Sequence, residues 1–188
     1  MKLDRSNLRI LLVDDDENDT ELLRNALVNA GFKHPLTHFR NGAITLEYFK
    51  YKKATGALVP HIILLDINMP LIDGVRALHR LREKSSFRDL PVIILTGTED
   101  PAKRCELAHL GIFRFLTKQS NGTNVISALD DFISFYNQEA TQSEMRRDPI
   151  YMRRCNSMAL KGATKGAGKQ KSDTTKFELP DHPRFHLK

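Results

Sequence analysis

An open α/β fold, with a five-stranded parallel sheet doubly wound by helices on both faces, is what this sequence predicts. Three observations predict it. Short, continuous apolar runs recur up to Leu116, each the length of a strand buried on both faces. Segments with apolar residues at helical spacing lie between them. Most of the runs stop on polar residues that a parallel sheet would line up along one edge.

Ile10-Leu11-Leu12-Val13 is the first strand, and it ends in Asp14-Asp15-Asp16. Leu22, Leu23, Ala26, Leu27 and Ala30 give the first helix its apolar face, and Gly31 stops it. Leu36 to Phe39 is a weak second strand closed by Asn41-Gly42. Ala43 to Lys53 is a second amphipathic helix, followed by a basic loop reaching Pro60. Ile62 to Leu65 is the third strand and ends at Asp66. Pro70 and Asp73-Gly74 then supply turn chemistry. Val75, Leu78 and Leu81 mark a third helix ending near Lys84. Val92 to Leu95 is the fourth strand, ending in Thr96. Asp100-Pro101 looks like the cap and first residue of a fourth helix running to about Leu110. Ile112 to Leu116 is the fifth strand, ending in Thr117-Lys118. Val125, Ile126, Leu129, Phe132, Ile133 and Tyr136 form the stripe of a last helix. Strand-helix alternation implies right-handed crossovers and a sheet order of 2-1-3-4-5.

The charge divides the chain of 188 residues in two. Residues 141–188 hold 11 of the 29 Lys/Arg and 5 of the 23 Asp/Glu, which is the whole net charge of +6. Residues 1–140 are balanced and are expected to form the domain. The segment 141–188 reads as a basic, Gly-rich, low-complexity tail that is mostly disordered, with residues 145–160 as transient helix at most. The tail has the charge for nucleic acid or another anionic surface. It lacks interleaved aromatic residues, so a solvated extension is the stronger reading. His182 and His186 are separated by Pro183, which argues against a helical metal site.

Cys105 and Cys155 form no ligand spacing and suit a reducing compartment. No apolar run approaches the ~20 residues of a membrane span. The N-terminus lacks the apolar region of a signal peptide. A cytoplasmic location is the expectation.

The strand ends carry the chemistry. With the order above, Asp14, Asp15, Asp66, Thr96 and Lys118 converge in one crevice. Three carboxylates repel one another and one lysine cannot balance them, whereas Mg²⁺ with oxygen ligands can. Such a site suits phosphoryl transfer to a carboxylate, with Lys118 and Thr96 stabilising the moving charge. Asp66, on the central strand, is the expected nucleophile, and Asp14 and Asp15 are the expected metal ligands.

The runs Leu12-Val13-Asp14-Asp15-Asp16, Leu64 to Gly74, Ile93 to Gly97 and Phe115-Leu116-Thr117-Lys118 resemble the receiver domain of two-component response regulators, over about residues 8–138. The resemblance implies the flavodoxin-like receiver fold. It also implies an Asp66 that accepts a phosphoryl group from a histidine kinase or phosphotransfer protein. Asp15, Asp66 and the Asn68 backbone carbonyl would bind Mg²⁺, with Asp14 acting through water. Thr96 and Phe115 would be the switch pair. The protein would accept phosphate and promote its loss without being an enzyme in the turnover sense. It would signal through a downstream protein or onward phosphotransfer, and a homodimer is left open. Three features depart from the family pattern: Gln119 stands where proline is usual, Phe115 has no hydroxyl, and the loop from Lys50 to Pro60 is long. A long loop and a non-proline there also occur in single-domain regulators that serve phytochrome-like kinases.

Two rivals remain at this level. A haloacid-dehalogenase-type phosphohydrolase would use Asp14 and Asp16, Thr96, Lys118 and Asp130-Asp131, but it leaves Asp66 unexplained. A pseudo-receiver would bind partners and never take up phosphate; the intact set of acids, Thr96 and Lys118 argues against it.

Overall fold

The computed structural model describes residues 2–34, 36–83, 85–97, 104, 107–118 and 122–145. Apolar runs become strands where they are short and β-rich: β1 (Ile10–Val13), β2 (Thr37–Phe39), β3 (Ile62–Asp66), β4 (Val92–Thr96) and β5 (Ile112–Thr117). All pair in parallel, in the order β2-β1-β3-β4-β5. The register sets Val13 beside Leu65, Asp66 beside Leu95 and Thr96 beside Thr117, so the C-terminal ends of the four main strands share one edge.

Alternate residues along each strand enter two separate cores. Leu12, Leu64 and Ile93 pack with Leu23 and Leu27 of α1 (Glu17–Asn29) and with Val125, Leu129 and Phe132 of α4 (Thr123–Met145). Leu11, Val13, Ile63, Leu65 and Ile94 pack with Phe49 of α2 (Gly42–Thr55) and with Leu78 and Leu81 of α3 (Gly74–Arg82). A sheet covered on both faces explains why β1, β3 and β4 are apolar at every position up to their ends.

Local signals set the boundaries. The Asp16 carboxylate accepts from the N–H groups of Asn18 and Asp19 and caps α1. Asn41 caps α2 and Asp73 caps α3 in the same way. A methyl group on Gly42 would lie 2.7 Å from Ala77 Cβ, so α2 and α3 touch through a position only glycine fits.

Four differences from the sequence expectations stand out. The second helix is longer at both ends than Ala43 to Lys53, and the second strand begins at Thr37. Of the expected fourth helix, Arg104 and Leu107 are helical and Ala108–Leu110 forms a 3₁₀ turn, while most of its other positions lie outside the described residues. The last helix runs to Met145, past the limit of 140 inferred from composition. Loss of apolar residues ends a packed stripe, but a helix already nucleated continues through residues of adequate propensity. The rest of the basic segment, and Gln119, lie outside the described residues.

Candidate functional site

The expected acids, Thr96 and Lys118 are delivered by strand ends. Asp14 and Asp66 are 2% and 4% exposed, held there because β1 and β3 are buried up to their last residue. Asp15 is exposed, one residue further along the turn. Carboxylate oxygens of Asp14, Asp15 and Asp66 all lie within 4.8 Å of one another. Thr96 ends β4 and is buried, and its carbonyl accepts from the Lys118 N–H at 2.8 Å.

Lys118 joins the set from β5. Its Nζ lies 2.7 Å from Asp66 Oδ2 and 2.9 Å from Asp14 Oδ2. Backbone donors hold the other oxygens: the Asp16 N–H reaches Asp14 Oδ1 and the Asn68 N–H reaches Asp66 Oδ1, each at 3.0 Å. The carboxylates are thus fixed before any ligand arrives.

The electrostatics follow from burial. Desolvation raises the Asp14 pKa, against the hydrogen bonds from Lys118 and the Asp16 N–H, and the charge of Asp66 adds to the rise. Burial alone would lower the Lys118 pKa, but its hydrogen bonds to Asp66 and Asp14 and their charges outweigh that, and the ammonium is stabilised.

A further carboxylate was not foreseen. Asp19, in the first turn of α1, places Oδ2 3.2 Å from Lys118 Nζ. Helical geometry turns it back toward the strand edge, and no motif spacing points to it. Phe115 sits half-buried against the α2–α3 core, with the Arg104 guanidinium 5.3 Å above its ring. The phosphohydrolase arrangement is not assembled. Asp130 and Asp131 lie inside α4 and pair with Arg5 and Arg114, and Asp16 is occupied as a helix cap.

The donor set fits a hard dication: three carboxylates with oxygens in ligating range, two of them buried, faced by the Lys118 ammonium. Among the described residues, no helix is long and apolar enough to cross a membrane.

A parallel sheet in this order, with an acidic pocket closed by a lysine, defines a class of signalling domain. Residues 10–130 match the family described as the response regulator receiver domain, and the chain belongs to that family. It is 26% identical over 133 residues to response regulator Rcp1 of Synechocystis sp., spanning 70% of this chain and 90% of that one. The crystal structure of the Mn(2+)-bound form of Rcp1 superposes with a TM-score of 0.57 at 25% identity, covering 69% of this chain and 94% of the other. The bacteriophytochrome response regulator RtBRR gives a TM-score of 0.59 at 29% identity, covering 66% and 77%.

Proposed function

We propose that this chain is a response regulator whose Asp66 accepts a phosphoryl group from a histidine kinase or a histidine phosphotransfer protein in a Mg²⁺-dependent reaction. The observation that carries the reading is Lys118 Nζ, poised between Asp66 and Asp14 with Asp15 completing the oxygen set.

One Asp66 oxygen attacks phosphorus as the N–P bond of phosphohistidine breaks, and the bond electrons return to the imidazole nitrogen. A new O–P bond leaves an acyl phosphate on Asp66. The Asn68 N–H and Lys118 orient the two oxygens for attack. Lys118 and the Thr96 hydroxyl meet the charge on the phosphoryl oxygens. Asp14, Asp15, Asp66 and the Asn68 carbonyl are the groups that would hold Mg²⁺, which supplies neutralising charge to the transferring group. Water later attacks phosphorus, the Asp66 O–P bond breaks, and inorganic phosphate leaves with the Asp66 carboxylate restored; the domain acts as a phosphoacceptor that promotes this loss. Thr96 and Phe115 form the switch pair, and the new charge shifts the β4–β5 face toward a downstream protein. Likeness to RtBRR, described as a bacteriophytochrome response regulator, favours a phytochrome-like kinase as donor. The chemistry needs nothing from the basic segment beyond α4.

The test is labelling with Mg²⁺ and a small phosphodonor such as acetyl phosphate. A base-labile phosphoprotein that disappears in Asp66→Asn is expected. Labelling that survives Asp66→Asn and is lost in Asp14→Asn overturns the reading.

A further inference from the structure

β2 is short, and this leaves the turn after β1 to be held by side chains. The β1–β2 ladder ends with Val13 beside Phe39 and one further bond, from the Asp14 N–H to the Phe39 carbonyl at 3.0 Å. The Asp14 carbonyl takes its hydrogen bond from His38, whose Nε2 lies 2.8 Å away. The same nitrogen is 3.2 Å from the hydroxyl of Thr20, which is 4% exposed and lies in the first part of α1. A carbonyl oxygen only accepts, so Nε2 carries the proton and the Thr20 oxygen flanks it as a second acceptor.

The bond has leverage. The Asp14 carbonyl belongs to the peptide that joins Asp14 to Asp15, and a peptide is planar. Fixing that oxygen fixes the plane from which the exposed Asp15 carboxylate projects. The Asp14 side chain is anchored separately by Lys118 and the Asp16 N–H. The orientation of this peptide restrains Asp15 from its N-terminal side.

We infer that His38 and Thr20 are a positioning pair, locking the Asp14–Asp15 peptide so that the acidic cluster is preformed for its cation. This rests on reading the cluster as a divalent-cation and phosphoryl site. Neither residue touches the reacting atoms.

Three measurements test it. In the unmodified protein, long-range ¹H–¹⁵N spectra of His38 should show the Nε2–H tautomer, and the Nδ1–H tautomer overturns the proposal. Calorimetric Mg²⁺ titration of His38→Val should show affinity about 10-fold weaker, as when outer partners of a metal ligand are removed. His38→Gln, which keeps a donor at the Nε2 position, should recover most of the loss. Thr20→Val should weaken binding less, and the double variant Thr20→Val/His38→Val no more than His38→Val alone, since both act through one hydrogen bond. Wild-type Mg²⁺ affinity in a folded His38→Val protein overturns the positioning role while leaving the site intact. Absence of both Mg²⁺ binding and Asp66 labelling by acetyl phosphate in the wild type removes the site itself, and the pair's role with it.

Discussion

A methyl group on Gly74 would stand 2.0 Å from the Asp66 carbonyl oxygen. The start of α3 is pressed against the residue that carries the candidate nucleophile, and the Gly74 N–H bonds to the Ile67 carbonyl at 3.0 Å. The obstacle is backbone, which cannot swing aside as a flexible side chain would. Gly74→Ala should destabilise the fold by about 1–3 kcal/mol, the usual cost of overpacking. It should also slow labelling of Asp66 in the fraction that stays folded. Urea melts alongside acetyl phosphate labelling separate the two effects.

Replacing Lys118 with Met keeps the volume of the stem and removes its charge. Buried Asp14 and Asp66 then face each other without a counter-ion. Lys118→Met should lower stability at pH 7 by about 3 kcal/mol, as for a buried pair that loses one partner. The loss should shrink at pH 4, since burial raises the Asp14 pKa and protonation of Asp14 relieves the repulsion. Adding Mg²⁺ at pH 7 should restore part of it. Denaturant melts under the three conditions give the answer.

Cation binding should stabilise the folded protein by mass action, by about 2.7 kcal/mol at a concentration 100 times Kd. Asp15→Asn should abolish most of this gain while leaving the metal-free melting temperature near wild type, since Asp15 is exposed. Because burial raises the Asp14 pKa above 3.8, protons compete from a higher pH than at an ordinary aspartate. Mg²⁺ affinity should therefore fall on acidification, and calorimetry as a function of pH measures that fall.

His61 accepts a hydrogen bond from the Arg9 N–H at 3.0 Å through Nδ1. Burial, with Arg9 and His34 nearby, lowers its pKa from 6.5 to about 4. The unfolded chain therefore takes up a proton that the folded chain refuses. The stability due to neutral His61 is complete above pH 6.5 and is lost as the pH falls toward about 4. His61→Gln should flatten this part of the stability profile, as read by melts between those limits.

Leu71 has φ of 68° and is 79% exposed. A left-handed conformation costs an L-residue roughly 1–2 kcal/mol, and the greater unfolded-state freedom of glycine offsets part of that. Leu71→Gly should raise stability by about 0.5–1 kcal/mol in thermal or urea unfolding. A loss would show that the leucine makes contacts that offset its backbone strain.

Much of the site was legible because the strands announce themselves. Once Ile10–Val13, Ile62–Asp66, Val92–Thr96 and Ile112–Thr117 are strands of one parallel sheet, Asp14, Asp66, Thr96 and Lys118 must meet at its edge. Asp19 escaped notice because its approach to Lys118 depends on the angle at which α1 leaves the turn, which periodicity does not encode. His38 escaped for a similar reason. In sequence it stands beside Phe39 on a weak strand, and no periodicity shows that its ring meets the Asp14 carbonyl. The end of α4 at Met145 was not legible, because composition marks where packing stops, not where a helix stops.

The contact between Lys118 and Asp14 spans 104 positions of the chain. During synthesis all the acids of the cluster exist long before the one lysine that neutralises them. Until β5 docks, Asp14 and Asp66 lack the Lys118 contacts that pair them in the finished sheet. Long-range closure of this kind is slow compared with local helix formation. It also makes the proposed phosphate acceptance depend on the chain as far as Lys118. On the proposed reading, a product truncated before Lys118 lacks the ammonium that faces Asp14 and Asp66, and acetyl phosphate should not label it.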